Sequence, residues 1–457
     1  MKLRVILPCV LLYLTAGCCD RVYVHPFYLI SLNDTSANTC KELEEREPLV
    51  KMFVPFSIES HFTSTYEEGL GNKSEEERKR LSVNFLTDPI YVLGARFYRE
   101  LKKIHKSNNI ILSPIFIYES LLSIYLGTSG KTATDLQIFL GFDSPFTNSS
   151  CAFKIDGHKV LFALKIILNA PLRSRDPEGL IFSKLLCVFS APGAYLSESF
   201  AHELAFPDVN FYVRAVNFTN PTEAAEQINA FIERKSTHKG LLANIDQETS
   251  LLLTTYTHFK AVINGASPLK EPQEFWLNSQ TKIFVPMMTV TGIFKHKHRN
   301  GLSIVKIPLS KSIFLLLLQP SNSNELSSDD QYPLTPSLEW VHGLKSKQIH
   351  LTFPRVSFTS IYDLQELLVK HDMADLLGKE ANLRLLSNSN VTIGKIINQQ
   401  LFELSPSEGD KIEAHTEEHA GETLKITLNK PFQFAVYEEG SFALIYFGQI
   451  TDPLKET

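Results

Sequence analysis

Residues 109–114 read Asn-Ile-Ile-Leu-Ser-Pro, and the chain continues Ile-Phe-Ile-Tyr-Glu-Ser-Leu-Leu-Ser-Ile-Tyr-Leu-Gly to position 127. Ser113 before Pro114 is a helix start, because proline at the first helical position gives up no needed N–H and its fixed φ suits the first turn. Leu121, Leu122 and Ile124 carry this helix to a stop near Gly127, and a second helix is expected from Thr132 to about Leu140, ended by Gly141. Upstream, Asp88-Pro89 reads as an N-cap with proline behind it, and Ile90, Leu93, Phe97, Leu101 and Ile104 recur at helical spacing. Lys102, Lys103 and Lys106 complement the negative end of that helix.

Further along, helices are expected over 157–168, 221–235 and 363–369. Strands are expected over 185–190, 284–288, 313–318 and 349–353, with a closing pair around Glu438-Glu439-Gly440. No internal repeat or βαβ periodicity is present, which points to an α+β fold with large, mostly antiparallel sheets. Within this frame Asn109–Pro114 and Leu126-Gly127 are followed in order by Phe218-Thr219-Asn220-Pro221, Ile228-Asn229, Val285-Pro286-Met287-Met288, Phe353-Pro354-Arg355-Val356, Asn429-Lys430-Pro431-Phe432 and Phe447-Gly448. The ordered set resembles the serpin family over residues 81–457. The resemblance implies three β-sheets surrounded by about nine helices, with an exposed reactive-centre loop between Gln400 and the strand at Asn429.

That loop is where the resemblance weakens. Protease-inhibiting serpins insert it into the central sheet, behind a hinge of small residues. Here the region reads Ser405-Pro406-Ser407-Glu408-Gly409-Asp410-Lys411-Ile412-Glu413-Ala414-His415. Pro406 lacks the N–H a central strand needs, and Asp410, Lys411 and Glu413 cannot all stay outside a packed sheet. The expectation is a serpin that does not inhibit, with an inhibitory or ligand-carrying serpin as the alternative.

The amino-terminal part supplies a different function. Lys2 and Arg4, an apolar run from Val5 to Leu14 and the small residues Gly17 and Cys19 make residues 1–19 a secretion signal. The run is too short to span a bilayer, so a soluble, extracellular protein is expected. Residues 20–29 follow: Asp20, Arg21, Val22, Tyr23, Val24, His25, Pro26, Phe27, Tyr28 and Leu29. They resemble the angiotensin family of vasoactive peptide hormones, with Val24 and Tyr28 as departures. Pro26 biases His25 towards an extended backbone, the form in which proteases bind substrates. The Leu29-Ile30 bond joins two bulky aliphatic residues suited to an aspartic protease. The resemblance implies cleavage there by renin, then at Phe27-Tyr28 by a dipeptidyl carboxypeptidase, and action of Asp20–Phe27 on a cell-surface angiotensin receptor. Blood-pressure and salt-water regulation would follow, with residues 30–80 as a tail in which 50–58 docks on the body.

The chain carries 45 Lys and Arg against 50 Asp and Glu, a net −5 that becomes −7 when Lys2 and Arg4 leave with the signal, and nothing in this balance suggests a nucleic-acid partner. With Cys9, Cys18 and Cys19 removed, three cysteines remain. Cys187 lies in an apolar strand, leaving Cys40 to pair with Cys151; such a tie between tail and body, which the resemblance also carries, would either govern access to Leu29-Ile30 or serve as an inert staple. Sequons stand at Asn33, Asn72, Asn148, Asn217 and Asn390.

Enzyme motifs are weak. His415-Thr416-Glu417-Glu418-His419 has zinc-peptidase spacing but sits in a charge-rich loop without a third ligand. Gly127-Thr128-Ser129-Gly130-Lys131-Thr132 imitates a phosphate loop, yet Tyr125 occupies the position of its first glycine, and a turn between helices is the better reading. His296-Lys297-His298 reads as a basic surface turn. No catalytic residues, metal or cofactor are expected, and the protein is expected to be a monomer with no membrane partner.

Overall fold

Every residue of the helix predicted from Ser113-Pro114 is buried in the computed structural model, where it spans Pro114–Gly127. A helix buried all round has no solvent face, and this one passes through the middle of the molecule. The structure describes residues 52–55, 57–58, 86–105, 108–142, 160–161, 163–168, 179–204, 210–236, 239–299, 301–320, 340–373, 378, 380–407 and 423–455.

In chain order these form β1 (Met52–Phe53), α1 (Thr87–His105), β2 (Ile110–Leu112), α2 (Pro114–Gly127), α3 (Gly130–Phe139), β3 (Leu180–Ser190), β4 (Leu196–Ser197), α4 (Glu198–Leu204) and β5 (Asn210–Ala215). Then come α5 (Pro221–Lys235), β6 (Leu251–Ile263), β7 (Ser267–Pro268), β8 (Gln273–Trp276), β9 (Lys282–Val285), β10 (Met287–Arg299), β11 (Leu302–Pro308) and β12 (Ile313–Pro320). The chain closes with β13 (Lys345–Pro354), β14 (Val356–Asp363), α6 (Leu364–Val369), β15 (Ile393–Pro406), β16 (Leu424–Thr427), β17 (Phe432–Glu438) and β18 (Leu444–Ile450). Residues 160–161 and 163–168 are also helical, within the span expected at 157–168.

Among the described residues, β14-β15-β6-β3-β5 form a five-stranded central sheet, and a nine-stranded sheet runs β16-β13-β10-β11-β12-β17-β18-β2 with β7 beside β10. Both faces of the central sheet are covered. Leu186 and Val188 of β3 enter the larger core with α1 and α2, whereas Leu185, Cys187 and Phe189 enter a second cluster with Ala224, Ile228 and Phe231 of α5. Double-sided burial is why β3 reads as an unbroken apolar run. Aromatic stacking joins the sheets: Phe402 lies 5.4 Å from Phe259 beside it in the central sheet and 4.6 Å from Phe434 of β17. Each such pair adds about 0.5–1.5 kcal/mol beyond area burial.

The motif residues have physical jobs. Asn109 Nδ2 donates to the carbonyls of Asp452 (2.7 Å) and Lys455 (2.6 Å), while its Oδ1 accepts from the N–H of Thr451 at 2.8 Å, tying the start of β2 to the turn at 451–455. Ser113 Oγ donates to the Ile445 carbonyl at 2.6 Å instead of capping α2. Asn220 caps α5 by accepting from the Glu223 N–H, and Asn229 exchanges two 2.9 Å bonds with the backbone of Leu242. A Cβ at Gly448 would collide with the Ile110 carbonyl, so only glycine lets β18 and β2 pair.

Several expectations need correction. The first helix starts at Thr87, with Asp88 in its first turn instead of at its cap, and Ile104 is exposed. Pro286 separates β9 from β10, splitting the strand expected at 284–288. The strand expected at 185–190 begins earlier, at Leu180, because Lys184 is accommodated inside by an ion pair with Glu119 of α2. The supposed turn at His296-Lys297-His298 is strand, the last part of β10 paired with β11 and β13.

Candidate functional site

Residues 20–29, the Leu29-Ile30 and Phe27-Tyr28 bonds, Cys40, Cys151, Asn33, Asn72, Asn148 and the 415–419 motif lie outside the described residues. The described structure holds the two places where those segments join the body. The first is the end of the amino-terminal tail. Met52 and Phe53 pair antiparallel with Ser197 and Leu196, and Ser57 bridges to Ala215 at the end of β5. Ile58 donates its N–H to the Ala215 carbonyl at 2.9 Å and is buried in the cluster under α5 with Leu185 and Phe189. The docking expected within 50–58 is therefore present, and it uses main-chain pairing plus one apolar anchor.

The second place is the root of the loop. β15 lies parallel against β6 from Ile393 beside Leu251 to Pro406 beside Ile263, so these strands are in direct contact along the seam where an inserted strand would enter. Polar clasps close the side of this seam that faces α5. His258 Nε2 meets Glu403 Oε2 at 2.7 Å, and Tyr256 bonds Gln399, whose Nε2 donates to the Lys239 carbonyl at 3.0 Å. Pro406 ends the strand, and the Ser407 N–H turns away to the Ala266 carbonyl. The chain returns as β16, parallel to β13 from Leu424 beside Ile349 to Thr427 beside Thr352.

Other expected sites divide clearly. Asn217 and Asn390 are exposed, and Asn217 Oδ1 accepts from the Thr219 N–H and hydroxyl at 3.1 and 2.8 Å. Cys187 is a free, buried thiol whose burial pushes its pKa up to about 12. Lys131, in the phosphate-loop imitation, pairs with Asp135 one turn along α3. No cluster of metal-ligating side chains occurs among the described residues, and none of their helices is long and apolar enough to cross a membrane. An open cavity of about 320 Å³ lies between β3, β6 and the end of α5, lined by Ser183, Tyr256, His258, Arg234 and Lys235; nothing in the sequence pattern marked it.

The serpin (serine protease inhibitor) family model matches residues 90–453. The chain is 31% identical to angiotensinogen of Homo sapiens over 475 aligned positions, covering 99% of this chain and 98% of that protein, and 32% identical to angiotensinogen of Bos taurus with 98% and 97% covered. Among solved structures, uncleaved ovalbumin superposes with a TM-score of 0.69 at 19% identity, covering 80% of this chain and all of that one. Thyroxine-binding globulin in complex with thyroxine gives 0.67 at 18% identity, covering 80% and 99%. The chain belongs to the serpin family. Within that family it is homologous to the mammalian angiotensinogens from end to end, and it is not an enzyme.

Proposed function

We propose that this protein is a secreted precursor of an angiotensin-type vasoactive peptide. Renin would cut Leu29-Ile30 to release Asp20–Leu29, and removal of Tyr28-Leu29 by a dipeptidyl carboxypeptidase would leave Asp20–Phe27 for a cell-surface receptor, acting on blood pressure and salt-water balance. The observation that carries the reading is the hormone-like decapeptide placed directly behind a signal-like segment, in a chain similar to angiotensinogens along 99% of its length. In this reading residues 1–19 are the signal, 20–29 the hormone, 30–80 a tail and 81–457 a serpin body that presents the tail without inhibiting proteases. Cys40 pairs with Cys151, and Asn33, Asn72, Asn148, Asn217 and Asn390 carry glycans.

The body's role follows from its chemistry. Pro406 and the charged hinge behind it make insertion costly, because an unpaired charge forced into the sheet costs several kcal/mol, and the His258–Glu403 and Tyr256–Gln399 clasps would have to break as well. The test is mass spectrometry of the secreted protein before and after renin. The decapeptide plus a remnant starting at Ile30 is the expected result; an intact amino terminus would refute it and turn attention to the loop or the cavity beside α5. An SDS-stable complex with a serine protease would refute the noninhibitory part.

A further inference from the structure

The open cavity beside the end of α5 has a floor and a wall of different chemistry. Its floor is the side of the central sheet that faces α5. Ser183 stands opposite His258 and Leu185 opposite Tyr256 across β3 and β6, while Leu185 lies beside Asn210 of β5. Cross-strand partners share a face, as do alternate residues of one strand. Leu185 and Tyr256 pack in the cluster under α5, so Ser183, Asn210 and His258 face the same way. The wall is the last turn of α5, where Arg234 is exposed and Lys235 is half-buried over the ring of Tyr212, 5.0 Å from its centre. Donors around this space of about 320 Å³ are unused. Among the described residues neither Ser183 nor Asn210 makes a side-chain hydrogen bond, and no carboxylate pairs with Arg234 or Lys235; Arg234 engages only Nε, on the Ala230 carbonyl at 3.1 Å. No acid lines the cavity. Two carboxylates of the surrounding elements are held elsewhere: Glu233 Oε1 accepts from the Gly240 N–H at 3.3 Å, and Glu403 takes His258 Nε2 at 2.7 Å and the Ser357 hydroxyl at 3.2 Å.

We propose that this cavity binds the phosphate group of a small organic phosphate monoester. Charge sets the sign, because two fixed cations and no carboxylate line the space. The end of α5, which would otherwise repel an anion, is capped: the Ile232 carbonyl accepts from both the N–H and the hydroxyl of Ser236, at 2.8 and 2.9 Å. Shape sets the class. The unused donors come from three elements, β3, β5 and α5, and so surround a tetrahedral group with three free oxygens, whereas a carboxylate offers two oxygens in one plane. The Arg234 guanidinium is a fork for two of those oxygens, and the Lys235 ammonium adds a point charge. Small-molecule sites span about 300–1,000 Å³. This cavity stands at the lower end, which leaves room for phosphate plus a short ester group over Leu185.

The test measures binding of glycerol 3-phosphate, inorganic phosphate and acetate to the whole secreted protein by calorimetry in phosphate-free buffer. Saturable binding of glycerol 3-phosphate is expected, tighter than that of inorganic phosphate and much tighter than that of acetate. Arg234→Gln/Lys235→Gln should weaken it by about tenfold or more, the scale of one hydrogen bond to a charged group, and Ser183→Ala by about threefold. Lys311→Gln, an exposed charge in the turn between β11 and β12, should leave affinity within about twofold. Unchanged melting curves would establish that the variants fold, and Ser183→Ala, which removes no bond within the described residues, keeps the test decisive if the end of α5 frays in the double variant. Four results would overturn the proposal: no saturable binding by the wild type, an equal loss in Lys311→Gln, acetate binding as tightly as the ester, or inorganic phosphate binding more tightly than the ester, which would assign the site to free phosphate.

Discussion

Ile58 holds the amino-terminal tail to the body, and Ile58→Ala should release it without unfolding the protein. The side chain is 4% exposed and packs with Leu185, Phe189 and Ile228, while its N–H bonds the Ala215 carbonyl. Truncating a buried isoleucine to alanine costs about 2–5 kcal/mol, and a site at the margin of the smaller cluster should lie at about 2–3. Because β1 holds on with only two register pairs, that loss falls on a local opening. At about 1.4 kcal/mol per factor of ten, the open population rises about 30- to 150-fold. A broad-specificity protease used under native conditions reads this directly, because cutting inside an element that closes faster than it is cut tracks the open fraction. Cuts mapped to residues 52–58 should accelerate by that factor while the main thermal transition stays in place. Acceleration under threefold, or loss of the whole amount from the main transition, would refute the argument and make Ile58 part of the global core.

Glu119 and Lys184 form a buried ion pair with side chains 7% and 6% exposed. Glu119→Gln or Lys184→Met alone should each cost about 3–5 kcal/mol in denaturant unfolding, whereas Glu119→Leu with Lys184→Met should be near neutral or stabilising. Cys187 should resist alkylation in the folded protein and react only at the unfolding rate, because burial keeps it a thiol; rapid native labelling mapped to Cys187 would contradict that. His371 is held below 6.5 by burial first, with Glu100 opposing and Arg96, Arg99 and Lys103 adding to the effect. The unfolded chain then binds the proton more tightly, so this residue lowers stability as pH falls from 6.5 through its depressed value. Unfolding midpoints at pH 7.5 and 5.5 should converge in His371→Gln relative to wild type.

The helices around Ser113-Pro114 and Asn220-Pro221 were legible because their signals are local: a proline, a cap and an apolar spacing within one turn. The two strands of the seam were not. In β6, Thr254, Thr255, Thr257, His258 and Lys260 break the apolar pattern, and β15 carries Asn398, Gln399 and Gln400 at its middle. Several of these polar groups are buried against partners distant in sequence. Tyr446 donates to Thr257, Ser120 meets Thr255, and Gln400 donates to the Ile111 carbonyl. A window of a dozen residues holds none of those partners. The basic end of β10 misled for a similar reason, since strand formation there comes from pairing with β13 and from no preference of Lys-His-Lys-His-Arg itself. The tail was partly readable: its apolar residues announced docking, but not that β4 and the end of β5 receive it.

The docked segment also sets an outer limit on the reach of the candidate cut site. Counting from Ile30, the first described residue placed against the body is Met52, and 22 fully extended residues cover at most about 75–80 Å. The proposed tie between Cys40 and Cys151 would tighten that limit to ten residues, at most about 33–36 Å. Two paired residues and one isoleucine thus set the longest leash, and a disulfide would set the short one.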